Sequence, residues 1–151
     1  PNITNGLAWC NGASGIAGAL AITGYLSHYP GLVDTYLTAT QAKTTEPASD
    51  NDQAGIDVSL CHGLAGTLST LQLLRDFGYA DPETVDKFHA YVEHIALTAP
   101  ICFGYPNNIH DMGYLNGLGG TYHALYPENH GSIRPLFAGN SQLRLFGKKF
   151  V

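Results

Sequence analysis

Charge is scarce in this chain of 151 residues, and basic charge is scarcest: charged side chains make up 13%, with seven Lys and Arg against twelve Asp and Glu. Apart from Lys148-Lys149 the basic residues are scattered, so no positive face is offered to a phosphate backbone. Nucleic acid is therefore excluded as an expected partner. Long apolar runs are also missing. The segment Gly15 to Leu26 is apolar but falls short of the roughly 18 to 20 residues that a membrane helix requires, and no charged-then-apolar leader opens the chain. The chain begins at Pro1 and not at methionine, which leads to the expectation of a processed or excised piece. Cysteine is limited to Cys10, Cys61 and Cys102, an odd count. With no sign of secretion, reduced thiols and a cytoplasmic setting are expected. Against these absences stands a hydrophobic content of 44%, which argues for a folded chain, a single unit over residues 1–151 able to bury a small core.

Two of the cysteines sit in matching glycine-rich pieces, Trp9-Cys10-Asn11-Gly12 and Leu60-Cys61-His62-Gly63. The residue types allow three readings: buried small apolar side chains, one disulfide with a spare thiol, or metal ligands. In the last, Cys10, Cys61 and His62 supply three ligands to zinc. A catalytic zinc keeps three protein ligands and an open fourth position, whereas a structural one usually has four. Adjacent Cys61 and His62 fit a turn or helix start better than a helix interior, and Gly63 gives the backbone freedom to aim both. Cys102, among apolar neighbours, reads as core.

The chain also repeats itself. Cys61 lies 51 residues after Cys10, and Leu115 lies 54 after Cys61. With these three in one column, Gly12-Ala13-Ser14-Gly15, Gly63-Leu64-Ala65-Gly66 and Gly117-Leu118-Gly119-Gly120 superpose, and ten positions further on stand Leu20, Leu71 and Leu125. Repeats of this length indicate stacked helix pairs. Each glycine turn leads into an apolar helix, expected over Ile16 to Leu26, Thr67 to Phe77 and Thr121 to Tyr126, the last stopped by Pro127. Second helices are expected over Leu32 to Lys43 and Glu83 to Thr98. In the latter, Val85, Phe88, Val92 and Ile95 form one buried stripe, with Asp81 as N-cap and Pro82 in the first turn. Thr44 to Gly55 and Pro127 to Gly131 read as loops. The fold class is all-α: glycine-led helices inside, amphipathic helices covering them.

The two cysteine motifs closely resemble the zinc motifs of the LanC-like lanthipeptide cyclases, including the cyclase domains of LanM synthetases. Gly113-Tyr114-Leu115-Asn116-Gly117-Leu118-Gly119-Gly120 is similar to that family's last glycine-rich repeat. The resemblance implies a partial α/α toroid and a Zn2+ ion held by Cys10, Cys61 and His62. It further implies a lanthionine synthetase-type enzyme of lantibiotic biosynthesis, in which a cysteine thiolate of a precursor peptide adds to dehydroalanine or dehydrobutyrine and closes a thioether ring. In that family the acid/base histidine and its aspartate lie upstream of the Trp-Cys motif, and the ring holds more helix pairs than this chain. The resemblance thus places the chain as the C-terminal half of a cyclase domain, inactive alone. Its expected partners are the precursor peptide, the N-terminal half or a dehydratase. Exposed inner helix faces lead to an expectation of self-association.

The ligand set itself favours that chemistry. With two thiolates bound, an incoming third thiolate leaves the zinc centre net negative, a poor Lewis acid toward a carbonyl but one that still deprotonates the thiol near neutral pH. Hydrolases more often hold zinc through His and carboxylates. Rival readings are a non-catalytic LanC-like zinc protein that binds thiol peptides or glutathione, a prenyl-transfer enzyme, whose usual aspartate ligand is not matched, and a purely structural zinc. His110-Asp111 is a candidate substitute acid/base pair. His123, on an inner helix, either lines the cavity or is a packing residue, the latter preferred. His28, His89, His94 and His130 read as ordinary surface or core histidines. Trp9 is expected to support Cys10 by packing on the helix behind it, and Asn11 to cap that helix. Residues 134–151 read as a last outer helix or a docking segment.

Overall fold

A computed structural model describes residues 6–45, 56–98, 100–101 and 112–127. The described residues bear out the all-α reading. Five helices follow in order: α1 (Ala13–Thr23), α2 (Pro30–Thr45), α3 (Leu64–Asp76), α4 (Pro82–Thr98) and α5 (Leu118–Leu125). Helices α1, α3 and α5 lie side by side with α3 in the middle; α2 packs on α1 and α4, and α4 packs on α3 and α5. This is a two-layer arrangement of stacked helices.

Burial follows the sequence pattern most closely in the outer layer. Val85, Phe88, Val92 and Ile95 of α4 are all buried. Both carboxylate oxygens of Asp81 work at its start: one accepts the Thr84 amide at 2.8 Å and the other the Thr84 hydroxyl at 2.7 Å. The inner layer is driven by wholesale burial instead. Ten of the thirteen residues of α3 are buried, as befits a helix walled on both sides and behind.

Helices α1 and α3 stop in the same way. Gly24 and Gly78 take φ of 78° and 80°, a left-handed conformation that costs glycine nothing and other residues much. The next amide then folds back, Tyr25 N–H to the Leu20 carbonyl at 2.9 Å and Tyr79 N–H to the Leu74 carbonyl at 2.8 Å, closing a Schellman-type cap.

Several expected boundaries are corrected. The glycine-led helices start three residues earlier than expected, directly after Gly12, Gly63 and Gly117, because those glycines are the N-caps. The first helix ends at Thr23 and not at Leu26, since Gly24 reverses the chain, and Leu26–His28 forms a separate 3-10 turn. Helix α2 takes in Thr44 and Thr45, which were expected to open a loop. A parallel two-residue pairing, Ile56–Asp57 (β1) with Pro100–Ile101 (β2), was not expected and is too short to leave an alternating pattern. The remainder of the two expected loops, beyond Thr45 and Pro127, lies outside the described residues, as does the segment 134–151.

A buried polar knot ties the layers together. Tyr36 of α2 is 1% exposed, and its hydroxyl donates to the Thr67 carbonyl at 3.1 Å and lies 3.0 Å from the Ser14 hydroxyl. Ser14 in turn donates to the Leu7 carbonyl. Burial pushes the Tyr36 phenol well above its ordinary range, so it stays a neutral donor. At the other end, α4 grips α5 through His89 and the Leu125 carbonyl at 2.8 Å, and through Glu93, which accepts the Tyr126 hydroxyl at 2.5 Å.

Candidate metal centre

The three repeat turns are stitched to one another along the aligned column. Cys10 N–H donates to the Cys61 carbonyl at 3.2 Å, and Cys61 N–H donates to the Leu115 carbonyl at 2.9 Å. The column read from the sequence is therefore a physical ladder at the N-terminal ends of α1, α3 and α5. Its rungs bring together Cys10 and Cys61, which stand 51 positions apart in the sequence.

Space explains the glycines in these turns. Gly15, Gly66 and Gly120 lie on the carbonyls of Trp9, Leu60 and Tyr114, too close for any Cβ. A Cβ at Gly12 would meet the Ala8 and Gly6 carbonyls at 2.6 Å, and one at Gly63 would meet the Ser59 nitrogen at 2.5 Å. Backbone freedom at Gly63, expected from the sequence, is not what the turn uses: its φ is −105°, open to any residue. The helix start near Gly12 is likewise capped without help from Asn11, as the N-cap is Gly12 and makes no side-chain bond. Trp9 leans further than expected, its Cβ against Gly66 of α3.

Within the second turn, Ser59 fixes the approach to His62. Its amide donates to an Asp57 carboxylate oxygen at 2.8 Å, its hydroxyl accepts the His62 amide at 3.4 Å, and its carbonyl accepts the Gly63 amide at 3.0 Å. Asp57 belongs to β1, so the pairing with β2 anchors this carboxylate near the cysteines. Its neighbours in sequence carried no signal of that placement.

The result is a cluster of one ligand atom each from Cys10, Cys61 and His62, all within 4.8 Å of one another. Cys10 and Cys61 are free thiols, not a disulfide; Cys10 and His62 are exposed and Cys61 is half-buried. The Cys61 thiol is pushed up to about 11, first by burial, then by its contact with Cys10 and the charge of Asp57. Crowding that disfavours a lone thiolate here favours a dication between the sulfurs. Tetrahedral zinc with bonds of 2.0 to 2.3 Å sets its ligand atoms about 3.3 to 3.8 Å apart, a spacing compatible with three atoms that lie within 4.8 Å of one another. The donor set and its spacing fit a zinc ion.

Residues 2–134 match the model of the family described as Lanthionine synthetase C-like protein. The chain belongs to that family. No curated protein and no solved structure gives a significant match. For a LanC-like chain, the remaining candidate residues fall as follows. His123 is buried in α5 with its ring edge-on to Tyr114 at 5.6 Å, the position of a packing residue. His110, Asp111 and Cys102 lie outside the described residues. No described helix is long and apolar enough to cross a membrane.

Proposed function

We propose that this chain carries the zinc site of a lanthipeptide cyclase, with Cys10, Cys61 and His62 as the three protein ligands and a substrate cysteine as the fourth. The convergence of those three ligand atoms within 4.8 Å, in a chain of the LanC-like family, carries the reading. When bound, zinc supplies the positive charge that keeps the incoming thiol ionised near neutral pH. Cys10 and His62, both exposed, leave the outer side of the cluster open to a peptide. Ser59 and Asp57 hold the second turn so that His62 projects from a fixed backbone, and the Cys10-Cys61 rung sets the distance between the sulfurs.

The reaction is an addition without redox change. The thiol gives up its proton, sulfur bonds to the β-carbon of dehydroalanine or dehydrobutyrine, and the double-bond electron pair takes a proton at the α-carbon. Because atoms are conserved, ring closure leaves the peptide mass unchanged and is read by the loss of an alkylatable thiol.

X-ray absorption at the zinc edge tests the site directly. Two sulfurs and one nitrogen from the protein are expected, and a third sulfur on addition of a cysteine-containing dehydrated peptide. A zinc shell unchanged by the peptide would reject the proposal. Binding of the thiol with no thiol loss over time, even with the upstream acid/base half supplied, would favour a non-catalytic thiol-binding protein.

A further inference from the structure

The two sulfurs of the candidate metal centre are placed for a bond to each other as well as for a shared ion. A disulfide needs Cα atoms about 4.4 to 6.8 Å apart and side chains that converge. Cys10 and Cys61 are joined through the backbone, amide to carbonyl at 3.2 Å, and residues paired by such bonds in an antiparallel sheet carry Cα atoms about 5.5 Å apart. The two Sγ atoms lie within 4.8 Å of one another, so the side chains point toward a common place. Both thiols are free.

Burial gives the two thiols different parts. Cys10 is exposed and Cys61 is half-buried, so a small oxidant from solvent reaches Cys10 first and finds Cys61 beside it to resolve the product. The backbone on which both stand is held. The Cys61 amide is fixed on the Leu115 carbonyl at 2.9 Å, and Gly12 and Gly63, two residues beyond each cysteine, are packed against backbone with no room for a Cβ. Two thiols kept side by side react with each other in preference to a thiol of another molecule.

We propose that Cys10 and Cys61 close to a disulfide when the site is without metal, so that the same two sulfurs serve either as zinc ligands or as a peroxide-sensitive bridge between the first and second repeats. The Cys10 sulfur attacks one oxygen of hydrogen peroxide, the O–O bond breaks, and one water leaves with Cys10 as its sulfenic acid. The Cys61 sulfur then displaces the hydroxyl from Cys10, which departs as a second water with the Cys61 thiol proton. Two thiols are oxidised to one disulfide, and one peroxide is reduced to two waters. The bridge withdraws both sulfur ligands at once and leaves His62 alone, too little to hold the ion. Sulfurs that hold zinc have their electron pairs committed to it, and closure is then suppressed. This suppression rests on the zinc site proposed above, whereas the bridge itself rests on the geometry of the pair.

Tryptic mapping tests this in the full chain, because cuts after Lys43, Arg75 and Lys87 place Cys10, Cys61 and Cys102 in different fragments. The metal-free chain treated with hydrogen peroxide should lose two of its three thiols and give a non-reduced digest in which residues 1–43 are joined to residues 44–75. The zinc-loaded chain should bridge at least about tenfold more slowly, and the bridged chain should take up zinc only after reduction with dithiothreitol. His62→Ala, which keeps both sulfurs, should bridge at the metal-free rate even with zinc supplied. A link through Cys102, a bond between two chains, or Cys10 carried on to its sulfinic acid would overturn the proposal, as would equal bridging rates in the zinc-loaded and metal-free chains. A reduced parent that bridges yet takes up no zinc would contradict the zinc site and uphold the disulfide.

Discussion

The amide of Cys61 donates to the carbonyl of Leu115 at 2.9 Å, which places an apolar residue of the third repeat directly beside a candidate metal ligand of the second. The column thus has the same backbone role in each repeat and different side-chain chemistry. Cys10 and Cys61 offer sulfur; Leu115 does not, and the cluster stays at three ligands.

The glycine turns give the first prediction. Gly66→Ala forces a Cβ onto the Leu60 carbonyl, and overpacking of this kind costs about 1 to 3 kcal/mol. Gly31→Ala, where nothing lies within 4 Å, should be neutral or stabilising by up to about 1 kcal/mol, since alanine is the better helix former. Urea denaturation of the two variants reads the contrast. Equal stability would remove the spatial explanation of the repeat.

Tyr36→Phe should destabilise the fold by about 1 to 2 kcal/mol, because it takes a buried donor from the Thr67 carbonyl without opening a cavity. The same denaturation series measures it. An unchanged midpoint would mean that the knot among Tyr36, Ser14 and Thr67 does not hold the layers together.

Acid sensitivity follows from Asp81. Its two hydrogen bonds to Thr84 hold the carboxyl below its ordinary value, so its contribution is present above the unfolded-state pKa. That contribution is lost as pH falls through the lower folded-state value. Asp81→Asn keeps a capping side chain but cannot titrate, and should flatten the acid limb of a thermal-stability profile below about pH 4. An acid limb identical to the parent's would contradict the assignment.

Much of this was legible in the residues, and where it was not the reason is local. The stripe of α4 and its Asp81 cap were readable because an amphipathic helix and a carboxylate cap each leave a pattern. The starts of α1, α3 and α5 were misplaced because their N-caps are glycines with no side-chain bond, so no capping signal marks them. The repeat column was visible as spacing; the grouping of Cys10 with Cys61 and His62 was one of three readings the spacing left open, and the family resemblance favoured it. Asp57 and Ser59, which position the second turn, were not, since their role depends on a two-residue strand pairing made across the fold.

Zinc per chain, measured by elemental analysis on the parent and on Cys61→Ala, tests the central claim most directly. Near one zinc in the parent and little in the variant, with circular dichroism unchanged, is the predicted result, because loss of one of three ligands removes most of the affinity. Equal zinc in both proteins, or none in a folded parent supplied with the metal, would contradict the assignment of Cys10, Cys61 and His62 as a metal centre.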